Sequence, residues 1–338
     1  MAWYLLRRLA ASIVVLFGVS ILIFGVARVI PGDPARISLG PMASEEQVAQ
    51  LRAQLYLDRP LVAQYLQFLR GLAAGDLGAS TYTNRPVATD LRQFLPATIE
   101  LVAAASLIMV CAGIPLGVLA GHFRDRWPDH VGRLVALLGV VTPSFVWAIF
   151  LVLVFSYAFD LMPVIGRLSD SIIPPPRVTG LLLVDATLAG DGTAFRDALW
   201  HLALPAIALS LSGTGQAARL TRANLGQTYG RDYIELARAY GFAGRSIAWK
   251  YALRPAMIPT LTILGLDFAS KLGSAFLVEA VFVWPGTARY GVQAILNKDL
   301  NGIVGTVMVI GFGFVLINLI IDLVVAVLDP RIRHRAAF

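Results

Sequence analysis

The sequence predicts an all-α polytopic membrane protein with six transmembrane helices and an external helical segment between the first and the second. Composition is the first reason: 57% of the 338 residues are hydrophobic and only 14% charged. The mean hydropathy is +0.71, far from a soluble mix. Second, six runs approach the 20 or so apolar residues needed to cross about 30 Å of hydrocarbon. They lie at roughly 9–30, 97–121, 133–158, 200–220, 256–283 and 303–328. Third, Lys and Arg are dense in every second connection: Arg7 and Arg8, then Arg124, Arg126 and Arg133, then the stretch from Arg219 to Arg254, then Arg331, Arg333 and Arg335. Short basic loops stay inside, so both termini are expected in the cytoplasm. The net charge of +7 is then topological and calls for no nucleic acid; the bilayer is the partner.

The first run, residues 1–30 with its flank, could be a signal peptide. Its apolar stretch is longer than an ordinary signal core, and no small-residue cleavage site precedes Pro31-Gly32-Asp33-Pro34, so a retained helix is expected. Residues 31–96 form the largest external segment. Ser44 and Gln47 make a capping box ahead of Val48, Leu51 and Leu55, and Leu61, Tyr65, Phe68 and Leu69 mark a second amphipathic helix after Pro60. A small helical cap on the outer face is expected, either receiving a soluble partner or plugging the bundle.

Residues 97–338 are read as the core. Gly113, Gly117 and Gly121 recur every four residues in the second run, the small-xxx-small pattern of closely packed membrane helices. Pro115 and Pro143 should kink their helices. Cys111, the one cysteine, excludes an intramolecular disulfide or thiolate cluster and reads as an inert core thiol. The loop 159–199, with Pro174-Pro175-Pro176 and Gly190-Asp191-Gly192, should be irregular. Gly213-x-Gly215-x-x-Ala218 imitates a dinucleotide fingerprint but follows no strand, and is rejected.

A polar island, residues 229–260, interrupts the apolar chain inside the cytoplasmic loop 221–255. Asp232 can cap a helix, Glu235 completes a capping-box-like pair, and Gly241 can end it with positive φ. Ser246 offers a second start, and Pro255 and Pro259 hand over to the next run. Helix, tight turn, helix is the expectation.

The fifth run contains Asp267, Lys271 and Glu279. An ionisable group in mid-membrane costs about 2.5 to 3.5 kcal/mol on insertion scales, which makes each a functional candidate. Asp267 and Lys271 stand four apart on one helical face and can pair. They are expected to face a translocation path; the alternative is a self-neutralising pair that holds the helix against a second subunit. Glu279 is either a gate or a structural residue, and Trp284 reads as an interface anchor. Asn318, Asp322 and Glu100 read as polar packing contacts.

The spacing of Glu235, Ala237 and Gly241 with Leu253 and Pro259 resembles the EAA loop of ATP-binding-cassette importer permeases. Pro31-Gly32-Asp33-Pro34-Ala35, Gly75-Asp76-Leu77-Gly78, Leu95-Pro96-Ala97-Thr98, Pro143-Ser144-Phe145, His201-Leu202-Ala203-Leu204-Pro205, Arg219-Leu220-Thr221-Arg222, Glu279-Ala280-Val281-Phe282-Val283-Trp284-Pro285-Gly286 and Leu328-Asp329-Pro330-Arg331 are together similar to the first permease subunit of bacterial dipeptide and oligopeptide importers. The resemblance covers nearly the whole chain. It implies a bacterial inner-membrane subunit that forms half of a peptide pathway with a sister permease, two cytoplasmic ATPases and an extracytoplasmic substrate-binding protein. It implies coupling through Asp232, Glu235, Ala237, Arg238, Gly241 and Arg245, with small Ala237 and Ala239 entering a groove on the ATPase and the charges pairing at its rim. An ordinary basic loop is the alternative reading. No Gly-Lys pair occurs in the chain, so ATP and Mg would belong to the ATPases, and this chain is expected to bind no cofactor and no metal and to catalyse nothing. The family pattern has Gln near Asp267 and an apolar residue near Lys271, a departure that leaves the cargo open; related systems serve nickel, glutathione or sugars.

Two other classes remain. A stand-alone channel or secondary transporter would not need the capped loop. An intramembrane enzyme would need a catalytic constellation, and His122, His130, His201 and His334 show no metal or nucleophile spacing.

Overall fold

The computed structural model describes residues 2–29, 34–40, 42–54 and 56–328. The Pro31-Gly32-Asp33 motif and the basic stretch 329–338, with Arg331, Arg333, Arg335 and His334, lie outside the described residues.

Helix α1 (Ala2–Val29) leads to α2 (Pro34–Leu39), α3 (Glu45–Gln54) and α4 (Leu61–Ala74). The capping box forms as the sequence predicts: the Ser44 amide donates to Gln47 Oε1 at 3.0 Å and the Gln47 amide to Ser44 Oγ at 3.2 Å. Helix α4 packs on α1. Tyr65 and Phe68 stack against Phe24 of α1 (5.2 and 5.8 Å), Tyr65 reaches Phe17 at 6.0 Å, and its hydroxyl shares a 2.7 Å hydrogen bond with Ser20. Phe17 is twelve residues, about 18 Å, from the end of α1. The apolar stripe of α4 therefore lies along the flank of α1.

Next come α5 (Val87–His122), α6 (Trp127–Val141) and α7 (Ser144–Leu151), which runs into a π-helical segment Val152–Ala158. Pro143 does not merely kink the third run; α6 and the limb Ser144–Ala158 meet at 105°. Helix α8 (Leu182–Leu188) sits in the otherwise irregular loop 159–191, and α9 (Gly192–Tyr229) begins at Asp191, whose carboxylate accepts from the amides of Thr193 and Ala194. Then follow α10 (Asp232–Ala239), α11 (Gly244–Ser246), a π segment Ile247–Ala252, α12 (Leu253–Ser274), α13 (Phe276–Val281), α14 (Thr287–Leu296) and α15 (Leu300–Leu328). No strand occurs among the described residues, only an isolated bridge between Ala79 and Pro86.

Among the described residues, four helical stretches are long and apolar enough to cross a membrane: Leu6–Val26, Val87–His122, Gly192–Tyr229 and Leu300–Val324. The bent pair Trp127–Val141 and Ser144–Ala158 makes a fifth if it is one span. The expected run 256–283 breaks at Ala275 into α12 and α13.

Helices α5 and α9 form the centre, and glycine is what brings them together. A Cβ on Gly113 would lie 2.5 Å from that of Ala217, and one on Gly117 would lie 2.6 Å from the Ala218 carbonyl oxygen. At Gly121 the neighbour is Leu225 Cδ2 at 2.8 Å. Such spacing admits no side chain. Helix α6 joins the same seam, where Gly139 meets the Leu211 carbonyl and Gly215 the Ala136 carbonyl. The false dinucleotide fingerprint is thus a packing surface. Cys111 is exposed, a correction to the core-thiol expectation: two residues before Gly113, it lies on the opposite face of α5.

Polar contacts fasten the loop between α7 and α9 to this centre. Pro96 inside α5 frees a carbonyl one turn back, and Arg177 donates to that Arg92 carbonyl at 2.9 Å. Glu100, buried in α5, pairs with Arg167 and accepts from the Leu183 amide at 2.8 Å. Burial pushes the Asp185 carboxyl up, but donation from the Thr179 amide and hydroxyl and from the Gly180 amide outweighs it and holds the group below its ordinary value.

Candidate functional site

Of the described elements, α10 and the turn after it are the ones whose local sequence most fully explains their shape. The Arg238 carbonyl accepts from the Gly241 amide at 2.9 Å and the Ala237 carbonyl from the Phe242 amide at 3.1 Å. This pair of bonds needs a left-handed residue between, and Gly241 supplies φ +76°. A side chain there would strain the backbone.

The start of α10 differs from the expectation. Arg231, in extended conformation, is the N-cap, and no side chain caps the helix. The helix begins at Asp232 itself, one residue too early for the capping box, so Asp232 and Glu235 stand in the first turn, where they favour the positive end of the helix dipole. Ser246 likewise caps nothing; Ala243 holds the N-cap of α11.

Ile234 is fully buried and Ala237 only 5% exposed. They pack with Leu225, Ile247, Ala248 and Ala252 under the C-terminal ends of α5 and α9. Ala237 therefore seats the helix on its own chain. The outward face carries Asp232, Glu235, Arg238 and Ala239, and past the turn Gly241 and Arg245 are also exposed. Tyr233, Leu236, Tyr240 and Phe242 add an exposed apolar patch. Glu235, Arg238 and Arg245 form no ion pair among the described residues. The Arg238 guanidinium lies 5.6 Å over the Tyr229 ring, and Tyr229 Oη hydrogen-bonds His122 Nδ1 at 3.1 Å. Helix α10 thus presents an exposed apolar centre with charges at its edge, on a side opposite the stripe that is seated against the core.

The three charged candidates of the fifth run separate into two places. Asp267 and Lys271 pair within α12 at 2.6 Å, with side chains 16% and 4% exposed. Gly213 of α9 makes room for them: a Cβ there would fall 2.6 Å from Asp267 Oδ2 and 2.8 Å from Lys271 Nζ. Further along α9, Asn224 donates to Thr260 at 3.0 Å and ties α9 to α12 again.

Glu279 is fully buried at the end of α13. One carboxylate oxygen accepts from Thr98 Oγ1 at 2.6 Å and the other from the Arg289 amide at 2.8 Å, while Thr98 accepts from the Thr287 amide. The carboxylate thus caps α14 and fastens it to α5. Trp284 is 1% exposed and donates to the Ala97 carbonyl at 2.9 Å. It is a buried strut, which corrects its reading as an interface anchor; the indole stays inside because that carbonyl gives it a partner.

Two arrangements escaped sequence reasoning. Asp129, with no exposed side-chain surface, receives Arg222 through Nε (2.5 Å) and Nη2 (2.9 Å) and Arg133 at 2.6 Å. The Asp129/Arg133 spacing of four was visible, whereas Arg222 lies 93 residues away. Arg167, which pairs with Glu100 and lies 5.7 Å over Trp284, gave no local signal.

A bundle of long, apolar helices that presents charged and aromatic side chains on an exposed helix at one end is the build of a membrane protein. Comparison with known proteins makes the class specific. Residues 113–334 match the model for the binding-protein-dependent transport system inner membrane component, and residues 1–102 match that for the N-terminal part of such membrane components. The chain belongs to this family of permease subunits of ATP-binding-cassette importers. It is 42% identical to the "Probable D,D-dipeptide transport system permease protein" of Escherichia coli strain K12, over 98% of this chain and 97% of the other. It is 37% identical to the dipeptide transport system permease protein of the same strain over 99% and 100%. The glutathione transport system permease protein of Shigella flexneri is 32% identical over 98% and 99%.

Proposed function

We propose that this chain forms half of the pathway of a dipeptide importer in a bacterial inner membrane, with both termini in the cytoplasm. Its companions are a sister permease, two ATPases that carry ATP and Mg, and an extracytoplasmic binding protein that delivers the peptide. Six crossings follow if the bent α6–α7 pair is one span and α12 another. The D,D-dipeptide and dipeptide permeases in the comparison support the cargo class.

One observation carries the coupling assignment: Ile234 and Ala237 lock α10 onto the core while Asp232, Glu235, Arg238 and Tyr240 project from it. A helix so held transmits displacement to α5 and α9 instead of deforming. Driving a two-state equilibrium from 1:99 to 99:1 takes about 5.5 kcal/mol of differential binding, which a stiff docking helix can carry. Gly241→Asp places a side chain at φ +76° and is expected to abolish transport while the chain still inserts in the membrane; retained uptake defeats the coupling assignment. In the complex reconstituted in lipid, ATP hydrolysis should rise only with binding protein loaded with a dipeptide. A rise with another loaded cargo instead would keep the coupling and discard the peptide.

A further inference from the structure

Behind the docking helix, two adjoining cavities of about 490 and 340 Å³ share Gly121, Arg124 and Gly226 as lining. Arg238, His122 and Tyr229 close the larger one and Arg222 lines the smaller. No carboxylate lines either cavity. Arg222 is committed to Asp129. Arg124 has only a 3.6 Å approach to Asp125, beyond hydrogen-bond distance, and Arg238 rests on the Tyr229 ring with no ion pair among the described residues. Retention of basic residues on the cytoplasmic side accounts for arginines near the surface. It does not account for two of them converging on a concave space that no carboxylate lines.

We propose that this cleft binds a phosphate group. Guanidinium forks match phosphate oxygens in pairs, and a cleft of one charge sign concentrates the opposite one. When the Tyr229 hydroxyl donates to His122 Nδ1, the ring proton sits on Nε2, which adds a neutral donor. The bound group bridges Arg124, just after α5, to Arg238 on α10, and so fixes the docking helix to the core through an ionic contact that the chain alone lacks. The phosphate comes either from an anionic lipid headgroup at the cytoplasmic surface or from a soluble phosphate compound. The regulatory meaning rests on the coupling assignment, but binding is measured without ATP turnover, so either can fail alone.

The test uses the full chain, delipidated in detergent, with inorganic phosphate and phosphatidylglycerol as probes and phosphatidylcholine as the zwitterionic control. Binding is read as Kd and as the shift in thermal unfolding. The variants are Arg124→Gln/Arg238→Gln together and, separately, Gly226→Phe. A Cβ at Gly226 meets nothing within 4 Å, so the ring fills the cleft without crowding the helix or removing charge; this variant decides should the double variant not fold. Binding of phosphatidylglycerol at least about tenfold tighter than phosphatidylcholine, weakened at least about tenfold by the variants, establishes a headgroup site. The same loss with inorganic phosphate establishes a soluble-anion site. Binding by neither probe, equal binding of phosphatidylcholine, or affinity unchanged by the variants overturns the proposal.

Discussion

Helices α5 and α9 on one hand, and α1 and α15 on the other, are all apolar enough to span a membrane, yet the structure treats them differently. Half of the apolar window of α5 and 67% of that of α9 are buried, against 11% for α1 and 6% for α15. Hydropathy is actually lower in α9, at 1.2, than in α1, at 2.7. What separates the pairs is backbone approach: Gly113 and Gly117 of α5 and Gly215 of α9 face carbonyl oxygens of neighbouring helices, whereas the close neighbours of Gly305 and Gly313 in α15 are side chains and Gly18 of α1 has nothing near it. Apolarity takes a helix into the bilayer; the absence of side chains decides which helix becomes the centre.

The comparison breaks most severely at the ion pair lodged in the central seam. Lys271→Met leaves Asp267 uncompensated beside Gly213 and should cost about 3 to 5 kcal/mol, read as loss of thermal stability of the solubilised chain. Asp267→Leu/Lys271→Met should recover most of it. Uptake restored along with stability makes the pair structural, whereas uptake still lost in a stable double variant makes it part of the path. Gly117→Leu drives a side chain against the Ala218 carbonyl and should cost about 1 to 3 kcal/mol. Gly18→Leu, in open space on α1, should stay within about 0.5 kcal/mol. If those two variants proved alike, the distinction between the helix pairs would fail. The least effect is expected where the outer pair is joined by Arg8 and Asp322 at 3.1 Å, with side chains 49% and 25% exposed. Arg8→Gln should cost about 0 to 1 kcal/mol, measured in the same unfolding assay.

What the sequence made legible was local. The Ser44/Gln47 box, the Gly241 stop, the break at Pro143 and the glycine seam each rest on residues within one turn of each other, or on one residue's backbone. The long-range pairings, Asp129 with Arg222 and Glu100 with Arg167, were invisible because nothing near either residue requires its partner. Helix α10 shows the boundary within a single element. Its existence and its end were readable, but Ala237 was expected outside and lies inside. An eight-residue helix with Ile234 and Ala237 on one stripe and Tyr233, Leu236 and Tyr240 around the others does not reveal which stripe the core will take. Trp284 failed for the same reason: its partner, the Ala97 carbonyl, is 187 residues away.

The central pair is also long. At 36 and 38 residues, α5 and α9 reach about 54 and 57 Å, against about 30 Å of hydrocarbon. They therefore stand proud of the bilayer at their ends, like two rods welded side by side. One end of the weld carries Glu100, Asp191 and the clamp from Thr98 to Glu279; the other carries the seat of Ile234. Rods in backbone contact have little freedom to bend independently, so under the proposed coupling a push on the seat would arrive at the far end as a tilt of the whole piece, with the bilayer as its fulcrum.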